Sequence, residues 1–416
     1  MKYVDSGTGE KHDVEPDSVD SVSGERLPRG TAFYLGVQTA IERLLLFVVP
    51  VAVYRQTGSL SSSGLAYVAE WLPVIVLLPL VGAVVDRSSG PRLLRVTNIC
   101  RAVVCALVGL STTLGLGVVP LVLAGSVLGV ANIFAYIIFE RYVSGFSGEG
   151  VATAYSYFQT LQYTMLLAMP VVGGLALSGH GLPWLFALCA AVYAVAALLG
   201  PSMQLPAASE PGEAEPSWPD RLRAAVQLAR NPLARTVIVL LFAVNLTYGV
   251  LYTALPALTS AGGHADVLLP LGYGSAALIS LLYFRSAAWL HRHHLVAKLG
   301  IAAALTTAGA PLALATTNTP VLAVVVFAVS IGPMVAFTIW SRVVRNQLLD
   351  PRHFSLQASV IMTGTTAAYP VAGAYLGLVG DRVPAQLAVA AVSVVCLGMV
   401  VTTLVSLRRG QMLGAA

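Results

Sequence analysis

The 416-residue chain is 56% hydrophobic and 10% charged, with a formal net charge of +5. Soluble domains carry about 25% charged residues, so a water-soluble globular fold is excluded. The positive charge is almost all arginine and is not interleaved with aromatics, which argues against a nucleic-acid surface and for a rim facing anionic lipid.

Residues 1–30 are polar and rich in Asp, Glu, Ser and Gly, a composition that buries too little apolar area to order itself. They read as a flexible cytoplasmic tail. Twelve apolar segments of membrane-spanning length follow. They are predicted at Thr31–Tyr54, Gly64–Val85, Leu94–Leu114, Val118–Phe139, Ala152–Leu177 and Pro183–Met203, then Ala234–Leu258, Val267–Arg285, Val296–Ala315, Pro320–Trp340, Leu356–Leu378 and Gln386–Leu407. The expected fold class is an all-α membrane protein with twelve transmembrane helices in two pseudo-symmetric six-helix halves, 31–203 and 234–407. Between them, 204–233 reads as a cytoplasmic linker. Its Pro219–Asn231 stretch suits an amphipathic helix lying on the membrane surface. Residues 408–416 form a short cytoplasmic tail.

The charges orient this layout. Alternate loops collect Arg87/Arg92/Arg95, Arg141, Arg221/Arg223/Arg230, Arg292/Lys298, Arg342/Arg345/Arg352 and Arg408/Arg409, whereas the opposite loops hold Arg55 and Arg382. Short cytoplasmic loops attract Lys and Arg, so both termini are expected inside, in a multi-pass protein of the cytoplasmic (inner) membrane. The halves also look duplicated. A-M-P-V-V-G-G at Ala168–Gly174 and A-Y-P-V-A-G-A at Ala368–Ala374 place Pro170 and Pro370 at equivalent points of segments 5 and 11. Parallel repeats of this kind place a substrate path between the halves.

The knot G-A-V-V-D-R-S-S-G-P-R-L-L-R at Gly82–Arg95 lies between two spanning segments. It resembles the helix 2–3 loop of the major facilitator superfamily, with Gly82, Asp86, Arg87, Gly90 and Arg92 in the roles of a gating latch. One residue is added before Gly90. Pro170, Gly173 and Gly174 resemble the Gly-Pro-x-x-Gly-Gly signature of helix 5 associated with exporting antiporters, with Met169 in place of the first Gly. Phe47–Ser59 and Asn231–Leu241 are similar to the macrolide-efflux and siderophore-exporter branch. In that branch helix 1 carries an acidic residue eight before its Pro, as Glu42 stands before Pro50.

Glu42 lies near the middle of segment 1, where a charge costs about 2.5–3.5 kcal/mol on insertion scales. That makes it the candidate proton-coupling residue. Arg101 is the alternative, as its static counter-ion. Glu70 is a second coupling candidate, a site for a cationic substrate, or a partner for Arg43. Gln38, one turn from Glu42, together with Gln159, Gln162, Asn245 and Tyr248, forms candidate substrate-binding stripes for an amphipathic ligand. His291-Arg292-His293-His294 reads as a solvated basic cluster, and no metal site or cofactor is expected. With no nucleophile, metal or nucleotide motif, the chain is read as a non-enzyme driven by an ion gradient.

The expected function is proton-antiport export of a small organic molecule, drug-like or a secreted metabolite such as a siderophore. The expected partners are the substrate, protons and the lipid bilayer, with no nucleic acid, and the chain is expected to act as a monomer. An uptake symporter on the same fold and a non-transporting sensor or scaffold are the rival readings.

Overall fold

The apolar runs fold as helices because lipid offers backbone groups no partner. The computed structural model describes residues 28–144, 149–177, 181–200, 223, 230–260, 265–292, 295–316, 319–348 and 361–409. Six helices build the first half: α1 (Arg29–Thr57), α2 (Leu60–Arg87), α3 (Gly90–Thr113), α4 (Val119–Ser144), α5 (Glu149–Leu177) and α6 (Leu182–Leu199). The second half holds α7 (Pro232–Ser260), α8 (Ala265–Arg292), α9 (Val296–Gly309), α10 (Pro320–Ile331), α11 (Met334–Leu348), α12 (Ala368–Val379) and α13 (Ala385–Arg409). Among the described residues, nine helical stretches are long and apolar enough to cross a membrane. The helices of the two halves make an all-α membrane bundle. The expected amphipathic helix, the acidic tail and the His293-His294 pair lie outside the described residues.

Three predicted segments differ in detail from simple rods. Segment 9 ends in a 3-10 turn, Ala310–Ala315. Segment 10 is two helices, because Pro333 removes a backbone donor just after Gly332. The carbonyls at that break find hydroxyls on other helices. Ser280 Oγ donates to the Gly332 carbonyl at 2.9 Å and Thr307 Oγ1 to the Ser330 carbonyl at 2.7 Å. Segment 11 is helical from 361 to 366 and resumes as α12 after a turn at Ala367, three residues before Pro370.

Packing repeats between the halves. In the first half α1 packs on α5, α2 on α4 and α3 on α6; in the second, α7 packs on α12, α8 on α10 and α9 on α13. The halves meet through α2 against α12 and, symmetrically, α5 against α8. One apolar core runs through both halves, uniting Phe47 and Tyr67 with Tyr252, Tyr273 and Ala372. Toward the arginine-rich end it divides. Tyr34, Val81, Val85, Ile138, Phe139 and Phe158 form a separate cluster inside the first half, and Ala234 with Ile361 forms another in the second.

Candidate functional site

The opposite end of the bundle is sealed between the halves. Gly64 of α2 faces Gly373 and Gly377 of α12 so closely that a Cβ on Gly64 would lie 2.6 Å from the Gly377 nitrogen. Small residues permit such backbone contact. Beside it, Ser59 caps α2, accepting from the Ser62 N–H at 2.9 Å. Asp381, from the other half, completes the cap. Its carboxylate accepts from the Leu60 N–H at 2.9 Å, the Ser61 N–H at 3.2 Å and the Ser59 hydroxyl at 2.6 Å. A carboxylate at a helix N-terminus is favoured by the helix dipole. The Ser59 hydroxyl, followed by the Ser61 and Leu60 N–H groups, holds the Asp381 carboxyl below the usual carboxylate range. Tyr54 and Ser260 hydroxyls add a bond of 3.2 Å between α1 and α7.

Below the seal, aromatic rings from both halves meet. Phe47 sets its edge on Tyr273 at 5.1 Å, and the Tyr252 hydroxyl donates to the Leu46 carbonyl at 3.1 Å. Trp71 of α2 lies 4.3 Å from the Tyr369 ring of α12. Tyr67 and Tyr248 flank Tyr369 at 6.3 and 6.0 Å, and Tyr248 stacks on Tyr252 at 5.5 Å. Arg43, midway along α1, is half-buried within electrostatic reach of the Tyr369 hydroxyl. It donates through Nη2 to Gln162 Oε1 of α5 at 2.7 Å.

A second polar cluster lies wholly inside the first half. Arg101 of α3 is 2% exposed. Its guanidinium donates to Gln38 Oε1 at 2.7 Å and to the Ala131 carbonyl at 2.8 Å, with a longer contact of 3.4 Å to Asn98 Oδ1. Gln38 Nε2 donates to Asn98 Oδ1 at 2.9 Å, and Asn98 Nδ2 donates to the Tyr34 hydroxyl at 2.6 Å. The Tyr193 ring of α6 lies 5.3 Å from the Arg101 guanidinium carbon. This belt is what separates the two apolar clusters of the first half.

The candidate residues therefore divide. Gln162 and Tyr248 line the contact between halves with Arg43. Gln38 belongs to the enclosed belt. Glu42, half-buried, lies within electrostatic reach of Tyr193 beside that belt, while Arg101 spends its described hydrogen bonds on Gln38, Asn98 and Ala131. Glu70 turns toward α4, where a Cβ on Gly129 would come 3.7 Å from its Cγ, and it is not brought to Arg43. Asn245 ties α7 to the eleventh segment through the Thr365 carbonyl at 3.3 Å. Gln159 lies on α5, and Gly82, Asp86 and Arg87 at the end of α2; the side chains of Gln159, Asp86 and Arg87 and the burial of Gly82 are outside what the structure describes. Gly90 opens α3 and is buried, and Arg92 is exposed. Pro170, Gly173 and Gly174 are buried in α5, and a Cβ on Gly173 would strike the Phe47 ring at 2.6 Å. In the latch region the described contact is Arg141, whose Nη1 donates to the Val85 carbonyl at 2.6 Å. Cations at a helix C-terminus are favoured there.

Among the described residues no cluster of His, Cys, Asp and Glu has the makings of a metal site. Sequence reasoning missed Trp71 and Tyr369 as partners, and missed Asp381 and Ser59. No local signal marks these. Asn98 and Arg101, three apart on α3, did carry one, since that spacing puts them on one helix face.

No curated protein sequence matches the chain. Among solved structures, the nucleoside transporter NupG is similar at TM-score 0.64 and 15% identity, covering 89% of this chain and 98% of NupG. A point mutant of NupG gives 0.66 and 15%, covering 91% and 99%. At that identity the likeness concerns the fold. Residues 31–353 match the family described as Major Facilitator Superfamily. With two packed halves, symmetric contacts between them and three-quarters of the chain inside that match, the protein belongs to the major facilitator superfamily of membrane transporters.

Proposed function

We propose that this protein exports a small organic molecule from the cytoplasm by proton antiport. Its halves, 31–203 and 234–407, rock about the aromatic contact between them. The observation that carries the reading is the one-sided seal. Backbone-tight packing and the Asp381 cap join the halves at one end, while their apolar clusters stand apart at the arginine-rich end. With the arginine-rich end cytoplasmic, as the charge bias supports, this arrangement corresponds to a cavity facing inward. Alternating access follows if the latch around Asp86, Arg87 and Arg92 closes when the Asp381 end opens.

Glu42 is assigned as the proton carrier. It is a carboxylate near mid-membrane beside a buried cation whose described hydrogen bonds go elsewhere, so taking up a proton changes the field on the Arg101 belt. Glu70 is the second candidate. Export, with a drug-like compound or a secreted metabolite as cargo, is supported by the helix 5 signature of Pro170, Gly173 and Gly174. The acting unit is a monomer in the cytoplasmic membrane with both termini inside.

The test uses purified protein in vesicles under an imposed pH gradient, with a panel of a lipophilic cation dye, an aryl sulfonate and a nucleoside. Outward, gradient-driven movement of a panel member that persists as exchange but loses its drive in Glu42→Gln supports the reading. Accumulation down an inward proton gradient identifies uptake by symport. Full gradient-driven efflux by Glu42→Gln removes Glu42 from coupling. Movement of none of these solutes favours the sensor or scaffold.

A further inference from the structure

A cation in the middle of a spanning helix needs a counter-charge or a water-filled surround. Arg43 is midway along α1 and half-buried. Among the described residues it has no carboxylate within ion-pair distance, and its hydrogen bond is to a neutral amide, Gln162. Its Nε is buried without a partner, and so is the indole Nε1 of Trp71. Most buried donors are hydrogen-bonded, so each exception calls for a reason. Both orphans belong to residues grouped around one ring, Tyr369, where α1, α2, α5, α7 and α12 converge. Arg101 also has an unpartnered Nε. That residue, however, is enclosed within the first half, with its charge spread over Gln38, Asn98, Ala131 and the Tyr193 ring.

The group around Tyr369 thus offers spare N–H donors and the Arg43 guanidinium beside the half-buried rings of Trp71, Tyr248 and Tyr369, with the Glu70 carboxylate, turned toward α4, within electrostatic reach of Tyr67. Donors without acceptors select an acceptor-rich ligand. A guanidinium selects an anion, which it can hold through two parallel bonds. Rings at stacking distance select a planar body. We infer that the cargo is an aromatic anion, whose acidic group is held by Arg43 and Trp71 Nε1 and whose ring lies against Trp71 and Tyr369. This deepens the transporter reading above and rests on it. The cargo supplies the counter-charge that Arg43 lacks among the described residues.

The experiment is calorimetric binding to the full chain in nanodiscs, with naphthalenesulfonate as probe and neutral naphthalenesulfonamide as its control. Charged hydrogen bonds to one anion predict roughly tenfold or greater preference for the sulfonate. Arg43→Gln should erase the preference, because it weakens sulfonate binding far more than sulfonamide binding. Arg43→Lys, which keeps the charge but not the fork, should retain part of it. Trp71→Leu should weaken both probes. Equal binding of the two probes by the natural protein overturns the inference, as does an undiminished preference in Arg43→Gln. If Arg43→Gln does not fold, Arg43→Lys decides, since unchanged preference and affinity there exclude a bidentate anion site. Gradient-driven flux of a cation dye or nucleoside in vesicles, with no sulfonate preference, would sink the anion assignment and leave the transporter standing. Absence of flux for all three panel solutes would sink the transporter reading itself.

Discussion

The two halves share a fold and differ in chemistry. Glu42, Arg43, Glu70 and Arg101 fall within spans of the first half, whereas the spans of the second half carry no acidic residue and hold their cations, Arg235, Arg285 and Lys298, near the segment ends. In the first half the buried polar groups form a belt in which an arginine, two amides and a phenol satisfy one another. In the second, buried hydroxyls donate to backbone carbonyls of other helices. Thr307 donates to the Ser330 carbonyl and Ser280 to that of Gly332, and the Ser393 hydroxyl reaches the Ala308 carbonyl. Hydroxyl bonds of this type hold helices together without placing charge in the membrane. The difference teaches a division of labour. The first half holds the acidic residues within its spans and, under the proposal above, the proton chemistry, while the second presents rings to the contact between the halves.

The sharpest way to break this comparison is to remove Arg101. Arg101→Leu leaves Gln38 Oε1 without its charged donor and removes the second bond to the Ala131 carbonyl in an enclosed site. An orphaned buried acceptor costs about 1–3 kcal/mol, so the first half should lose several kcal/mol of stability. The lost contact with the Tyr193 ring adds to this. Thermal unfolding of the purified protein should show a drop of many degrees, or no folded protein. Arg101→Lys should recover only part, because a point charge cannot reproduce the planar fork. A natural melting temperature in Arg101→Leu would mean that the belt is not what organises the first half.

A smaller effect is expected at Asp381, the acidic contribution of the second half to the seal. Its carboxyl is held below the ordinary carboxylate range in the folded protein. A depressed folded value means the contribution is complete above the unfolded value of about 3.9 and is lost as the pH falls through the folded one. The seal should therefore be insensitive to pH from about 8 down to about 5 and loosen only in stronger acid. Spin labels at the exposed Thr57 and Arg382 would report this as a narrow distance distribution that broadens below about pH 4. Asp381→Asn should broaden it already at neutral pH. An unchanged distribution in Asp381→Asn would show that the glycine contact alone closes this end.

The helices were legible because twelve apolar runs leave lipid-exposed backbone no alternative. The breaks were less so. Gly332-Pro333 sits within an apolar run; Pro333 removes a donor there, and the freed carbonyls are met by Ser280 and Thr307 from other helices, which local sequence does not show. Within the site, Gln162 and Tyr248 could be read as polar positions on apolar helices, and both line the contact between halves. Gln38 shows the same pattern, yet it faces α3. Periodicity identifies a helix face but not the neighbour it meets. That limit also hid Trp71 with Tyr369, nearly 300 positions apart in sequence but 4.3 Å apart in space, and Asp381 with Ser59.

The smallest effect belongs to the hydroxyls of the second half. Thr307→Val keeps the shape of a β-branched side chain and removes its donor to the Ser330 carbonyl. Hydrogen bonds between membrane helices contribute about 0.6 kcal/mol on average, because the separated helices also find partners. Thr307→Val should therefore lower the unfolding temperature only slightly. Ser280→Ala, whose hydroxyl serves Gly332 at the same break, should behave alike. The double variant should lose more than the sum if the two hydroxyls jointly hold the break between α10 and α11, since groups sharing one element are not additive. A loss in Thr307→Val as large as that in Arg101→Leu would dissolve the contrast between the halves, because a neutral hydroxyl would then be as costly to remove as the buried cation.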